Sequence, residues 1–146
     1  MWGHPTNIDI IEKPIGRSSF NRKKMAVSPR GKMAITKWKV LDVYAPIASL
    51  IECKLETGKT HQIRVHLSNM GHSIIGDNLY GKSLSENRYR NSFYKEKVQR
   101  MKSFNRQALH ATKLSFNHPI TGKYIEFISP LPKDINQLIE ILKNKY

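Results

Sequence analysis

The sequence predicts an α+β fold, a mainly antiparallel mixed sheet with few helices, on three observations. Two pairs of segments in which apolar and polar residues alternate are each joined by a short turn, the pattern of antiparallel hairpins. Only two stretches, 60–71 and 132–146, carry apolar residues at helical spacing. Nowhere do strands and helices alternate in the regular way that a parallel sheet requires.

Residues 1–32 hold Gly3, Pro5, Pro14, Gly16, Pro29 and Gly31 around a basic run at 22–24, without sustained periodicity, and read as loop with one short strand. ITKWKVLDVY at 35–44 and SLIECKLE at 49–56 interleave β-branched and aromatic residues with polar ones, so they form the first expected hairpin about Pro46. Thr57 and Gly58 mark a turn. Thr60 is the expected N-cap of a helix whose buried stripe is Ile63, Leu67 and Met70 and which ends at Gly71. GHSIIGDNLYG at 71–81 reads as a short apolar strand between glycine turns, and the polar, basic and aromatic 82–106 reads as an exposed loop or irregular helix. QALHATKLSFNH at 107–118 and KYIEFIS at 123–129 form the second hairpin around HPITGK. Pro132, at the first helical position, opens a closing helix striped by Ile135, Leu138, Ile139 and Leu142. With 146 residues and no internal repeat, one domain spanning 1–146 is expected.

Twenty-five Lys and Arg against 11 Asp and Glu give a formal charge of +14, which points to a polyanionic partner, RNA or DNA. The competing reading is that many of these lysines only solvate the surface. Cys53 is the one cysteine, which excludes an intrachain disulfide and a thiolate zinc site and suits a reducing, cytoplasmic setting. No apolar run reaches the roughly 18 residues of a membrane span, and the opening residues lack the order of a signal peptide, so no membrane partner is expected.

His61, His66 and His72 do not make a metal site: His61 and His66 fall on different helical faces, and no HExxH or carboxylate ligand set accompanies them. Ser68 and Cys53 lack the context that activates a nucleophile. Gly71, Gly76 and Gly81 are too widely spaced for a phosphate-binding loop, so no nucleotide cofactor is expected. Arg64 is the more informative residue. It lies beside the expected apolar stripe, where its guanidinium either reaches water or, partly desolvated, takes a carboxylate or phosphate with two parallel bonds.

ETGKTHQIRVHLSNMGHSIIGDNLYG resembles the TGRTHQIRVHL…GHP-I-GD-x-YG segment of the RluA type of RNA pseudouridine synthases. RQALHATKLSFNHPITGKYIEFISPLPKD is similar to the closing segment of the same family, and KPIGRSS…KKMAVSPRGKMAITKWKVL to its middle stretch. The resemblance implies an isomerase that breaks the glycosidic bond of a uridine in ribosomal or transfer RNA, turns the base and rejoins it through C5, without metal or organic cofactor. It implies a flipped-out nucleotide, an aspartate performing the covalent or proton-transfer step, and a buried arginine contacting that aspartate. On these positions the arginine is Arg64. Lys59, Thr60, His61 and Gln62 stand beside it on the substrate side, with Thr60 and Gln62 also steadying the turn and helix. Leu109 forms an apolar wall of the uracil pocket, and Arg22, Lys23 and Lys24 belong to the RNA-binding surface. Lys59 replaces the usual arginine of the motif.

The family's aspartate lies in an HRLDxxTSG-like motif that has no counterpart here. Asp9, Asp42, Asp77 and Asp134 fall in other contexts, Asp77 serving to cap the GDNLYG turn. The expectation is therefore a partial catalytic domain, inactive alone, that meets RNA and an upstream half carried on a separate polypeptide. Its rival is an inactive RNA-binding remnant. In the isolated chain Arg64 is expected to face an empty pocket, exposed and unpaired.

Overall fold

The computed structural model describes residues 1–5, 10–81 and 84–144. Asp9 and the first two residues of the 82–106 segment lie outside the described residues. The chain divides into two compact units, Met1–Ala108 and Leu109–Tyr146.

In the first unit, β1 (Ile10–Glu12), β4 (Ile35–Tyr44) and β5 (Ala48–Leu55) form an antiparallel sheet in the order β1-β4-β5, while β2 (Ile15–Arg17) pairs with β3 (Met25–Val27). The β4–β5 hairpin matches the sequence reading closely. β4 starts with its side chains alternating between interior and solvent, so that Thr36 and Trp38 are buried and Lys37 and Lys39 exposed. A register shift between Val40 and Asp42 then ends that regularity. Among the described residues of 1–32 there are three short strands where one was expected. Strands of three residues are too brief for alternation to rise above the Pro and Gly around them.

Helix α1 (Gln62–Asn69) packs its inner face on β4 through Gln62 and His66, with Val65 and Leu67 also buried. That face is rotated from the expected Ile63, Leu67, Met70 stripe: Ile63 and Met70 are only half-buried. Residues 71–81 form turns in place of the expected strand. Ile74 and Ile75 are nevertheless buried, and the Ile75 carbonyl accepts from the Ala108 amide at 2.8 Å. Among its described residues the segment after it contains one 3-10 turn (Glu86–Arg88) and a regular helix, α2 (Ser92–Lys102). Asn91 caps α2 by accepting from the Phe93 amide at 2.9 Å. Its buried side is narrow, made of Val98, Met101 and the Lys97 stem, which explains the faint periodicity.

The second unit contains the expected hairpin, β6 (Lys113–Asn117) with β7 (Tyr124–Ile128), and helix α3 (Lys133–Lys143). α3 buries Ile135, Leu138 and Leu142, three of the four stripe residues, and Pro132 stands at the N-cap, one position before the one expected. These elements make the chain α+β. Among the described residues no helix is long and apolar enough to cross a membrane.

Candidate functional site

Helix α1 begins without a side-chain cap. The N-cap is His61, a non-glycine residue at φ 57°, in the left-handed region that costs a side chain about 1 kcal/mol or more. Thr60, the expected cap, is exposed. Gln62 Oε1 reaches back to accept from the Lys59 amide at 3.0 Å, which fixes the turn before the helix without capping its first amides.

Gln62 is 2% exposed, and every hydrogen-bonding group of its side chain is used inside the protein. Its Oε1 also accepts from Thr57 Oγ1 at 2.8 Å, and its Nε2 donates to the Ile35 carbonyl and to Thr36 Oγ1, both at 2.9 Å. The resemblance set Gln62 among the substrate-facing residues. Its side chain instead binds α1 to β4, the steadying role also expected of it. His66 continues this network. Its Nε2 lies 3.2 Å from the Lys13 carbonyl, which only accepts, so Nε2 carries the proton and Nδ1 accepts from Thr36 Oγ1 at 2.9 Å. Burial holds the His66 imidazole below its usual pKa, against the opposing bond to the Lys13 carbonyl.

On the adjacent face of α1 stands Arg64, its side chain 14% exposed. Its Nε donates to Asp77 Oδ2 and its Nη2 to Asp77 Oδ1, each at 2.8 Å, in a two-bond fork. This overturns the expectation of an unpaired arginine over an empty pocket: the carboxylate that a half-desolvated guanidinium requires is supplied thirteen residues along the chain. No partner is recorded for Nη1 among the described residues. The guanidinium also lies over the Tyr80 ring, 4.8 Å from its centroid.

The GDNLYG turn builds this cradle. Asp77 Oδ1 accepts from the amides of Leu79 and Tyr80, both at 3.0 Å, the turn-capping role read from the sequence. Gly76, at φ 73°, passes so close to the Arg106 carbonyl that a Cβ would sit 2.0 Å from its oxygen, and a Cβ on Gly81 would sit 2.1 Å from the Asp77 carbonyl oxygen. Burial pushes the Asp77 carboxyl up. The Arg64 bonds and the two amides outweigh that and hold it below the usual carboxylate range. Tyr80 Oη accepts from the Met25 amide at 2.8 Å and lies 2.9 Å from His61 Nδ1, linking β3, the turn and the start of α1.

Arg22, Lys23 and Lys24 occupy the turn between β2 and β3 and lead directly into Met25, so the basic run adjoins the Tyr80 end of the cradle. Arg22 and Lys23 are exposed; Lys24 and Lys59 are half-buried. Leu109 is half-buried at the start of the second unit. Of the other aspartates, Asp42 is exposed on β4 and accepts from the Val43 amide, and Asp134 accepts from the Ile135 amide in the first turn of α3. Neither is placed as a nucleophile, and Asp77 has both oxygens committed. The Cys53 thiol is pushed up to about 11, chiefly by burial, which leaves it inert at neutral pH. Tyr80, with no role in the sequence reading beyond its motif, is the residue that reasoning missed. The signal was its place three residues after Asp77 in a turn closed by glycines.

Residues 3–69 match the family described as RNA pseudouridylate synthase. A Zymomonas mobilis protein named ribosomal large subunit pseudouridine synthase D is 43% identical over 144 residues, covering 96% of this chain and 42% of that protein. The Escherichia coli K12 protein of the same name is 37% identical over 141 residues, covering 97% and 42%. A Bacillus subtilis protein described as an uncharacterized RNA pseudouridine synthase is 43% identical over 133 residues, covering 91% and 38%. The chain thus spans about two fifths of the length of the curated relatives it matches. Among solved structures, human RNA Pseudouridylate Synthase Domain Containing 1 superposes with a TM-score of 0.63 at 24% identity, covering 99% of this chain and 63% of that one.

Proposed function

We propose, from the premise that this chain belongs to the RluA type of the RNA pseudouridine synthase family, that it supplies the arginine-bearing part of a catalytic domain converting uridine to pseudouridine in ribosomal RNA. The observation that carries the reading is Arg64: a guanidinium held nearly buried in the THQIRVH helix, in a chain of net charge +14. Such a group stabilises a second anion far better than a solvated one, because little water competes for it. The anion is the nucleophilic aspartate of an HRLDxxTSG-like segment in the upstream part of the domain. Arg64 keeps that carboxylate ionised and oriented while the target base, turned out of its stack, is detached and rejoined through C5.

The partners are therefore RNA and the upstream part of the domain. Arg22, Lys23 and Lys24 meet phosphates beside the cradle, and Lys59, Thr60 and His61 stand at its rim toward the nucleotide. The exposed apolar residues Leu114, Phe116 and Phe127 on the β6–β7 hairpin offer area for the upstream part to cover.

The test co-expresses this chain with an upstream half carrying HRLDxxTSG and measures pseudouridine in ribosomal RNA. The chain alone is expected to give no product and the assembled pair to give it. Product from the chain alone overturns the reading. An assembled pair that binds RNA without making product favours the inactive RNA-binding remnant.

A further inference from the structure

We propose that Phe20 is a base-stacking contact for RNA: its ring takes the face of an unpaired base near the target nucleotide while Arg22 and Lys23 meet the flanking phosphates. This rests on the reading above that the partner of the basic turn is RNA. Phe20 lies in the loop RSSFNRKK at 17–24, between β2 and β3, and is 100% exposed. It is the one apolar residue of that loop. A solitary exposed apolar side chain needs no explanation in itself. Here the loop is built to hold the ring in water, its neighbours are cations, and its root stands on the cradle.

The loop is closed by its own polar groups. The Lys24 carbonyl accepts from the Ser18 amide at 3.0 Å, and the Asn21 carbonyl from the Lys24 amide at 2.9 Å. Ser18 Oγ accepts from the Phe20 and Asn21 amides at 3.3 and 3.2 Å, and Asn21 Oδ1 from the Lys23 amide at 2.9 Å. Arg17 Nη1 donates to the Arg22 carbonyl at 2.8 Å. None of these bonds uses the Phe20 side chain, so the turn would hold with a polar residue there, and the ring keeps its full hydration cost until something covers it. At the root, Met25 and Val27 pack with Tyr80 against Ile15, Ala34 and Val65, and the Met25 amide donates to Tyr80 Oη at 2.8 Å. Phe20 stands five residues before Met25. That is at most about 18 Å of chain, the length of about five stacked bases at roughly 3.4 Å each. The ring therefore serves bases neighbouring the one at the cradle. The surroundings select RNA over a protein surface. An aromatic anchor of a protein interface sits among other residues that exclude water around it, whereas Phe20 is flanked by exposed Ser19, Asn21, Arg22 and Lys23. A nucleobase needs only one flat ring face, and its phosphates need the cations. An unpaired base offers that face without the unstacking that a duplex demands.

The experiment titrates the chain, over a series of salt concentrations, into a fluorescein-labelled RNA stem-loop with uridine in its unpaired loop, and compares wild type with Phe20→Ala, Phe20→Leu and Phe20→Trp. All three variants should keep the wild-type Tm, because the ring packs on nothing. Phe20→Ala is expected to lower affinity about tenfold at each salt concentration, within the roughly fivefold to 150-fold range for a lost base–aromatic stack. The log–log salt slope should not change, since no phosphate contact is removed. Phe20→Trp should bind within about twofold of wild type and Phe20→Leu as weakly as Phe20→Ala, which separates a stacked ring from apolar burial. On a fully paired RNA duplex all four proteins should bind alike. Wild-type affinity in Phe20→Ala or Phe20→Leu, or an equal loss on the duplex, overturns the stacking contact and leaves the reading of Arg64 standing. A wild-type chain that does not bind the stem-loop overturns the RNA partner itself. In the assembled domain Phe20→Ala should raise KM by the same factor with kcat unchanged. Weakened assembly with the upstream part, at undiminished RNA affinity, would make Phe20 a protein contact and overturn the inference.

Discussion

Replacing Arg64 by Ala in the isolated chain removes two charge-assisted bonds from a carboxylate whose side chain is 0% exposed. Asp77 Oδ1 keeps the Leu79 and Tyr80 amides, but Oδ2 loses its recorded donor and the charge its counter-ion. Breaking a buried pair by deleting one partner costs about 3–5 kcal/mol. The 14% exposure of the Arg64 side chain lets water reach the vacated site, which favours the lower end. Loss of the stacking on Tyr80 adds about 0.5–1 kcal/mol. A destabilisation of about 3.5–4 kcal/mol corresponds to a fall in Tm of roughly 12 °C for a chain of this size. Tryptophan fluorescence is the suitable assay, because Trp2 and Trp38 are both buried in the first unit and report its unfolding alone. Arg64→Lys, which keeps the charge and one bond, should recover about half of the loss. A double-mutant cycle with Asp77→Ala should return a coupling of about 2 kcal/mol. A shift under about 2 °C for Arg64→Ala, or additive effects in the cycle, would refute the pair as a stabilising element.

Gln62→Leu should destabilise the first unit by about 3 kcal/mol in urea titrations, because it strands the Lys59 amide and the Thr57 hydroxyl together, while the Ile35 carbonyl keeps the Glu56 amide. A loss under about 1 kcal/mol would show that water replaces the amide. His66 is buried with its folded pKa lowered, so the unfolded chain takes up the proton first and stability falls as pH drops below the unfolded value of about 6.5, by up to about 1.4 kcal/mol per pH unit. Urea midpoints between pH 8 and pH 5 check this; a flat profile over that range contradicts a neutral His66. The isolated chain should bind RNA with an affinity that falls steeply with salt, and Arg22→Ala, Lys23→Ala and Lys24→Ala together should flatten the log–log slope by roughly two. An unchanged slope would remove this turn from the RNA surface.

The sequence showed the β4–β5 hairpin and α3 clearly because their buried residues are apolar and recur at one period. Helix α1 was phased wrongly for the opposite reason: its inner face is built with Gln62 and His66, two polar residues fully satisfied against Thr36, and hydropathy cannot tell such residues from solvated ones. The left-handed His61 was invisible because only glycine advertises that conformation. Arg64 was legible as a half-desolvated group wanting a carboxylate, and Asp77 as the cap of its turn. Their union was missed because the family's absent aspartate seemed the natural partner. The arginine has donors for both.

The most direct measurement is a crystal structure of the domain assembled with its upstream, HRLDxxTSG-bearing part. The account predicts that the aspartate of that motif lies about 2.7–3.0 Å from Arg64 Nη1 and Nη2 while Nε remains on Asp77. An upstream carboxylate well beyond hydrogen-bonding reach, more than about 5 Å from the guanidinium with no bridging water, would contradict it.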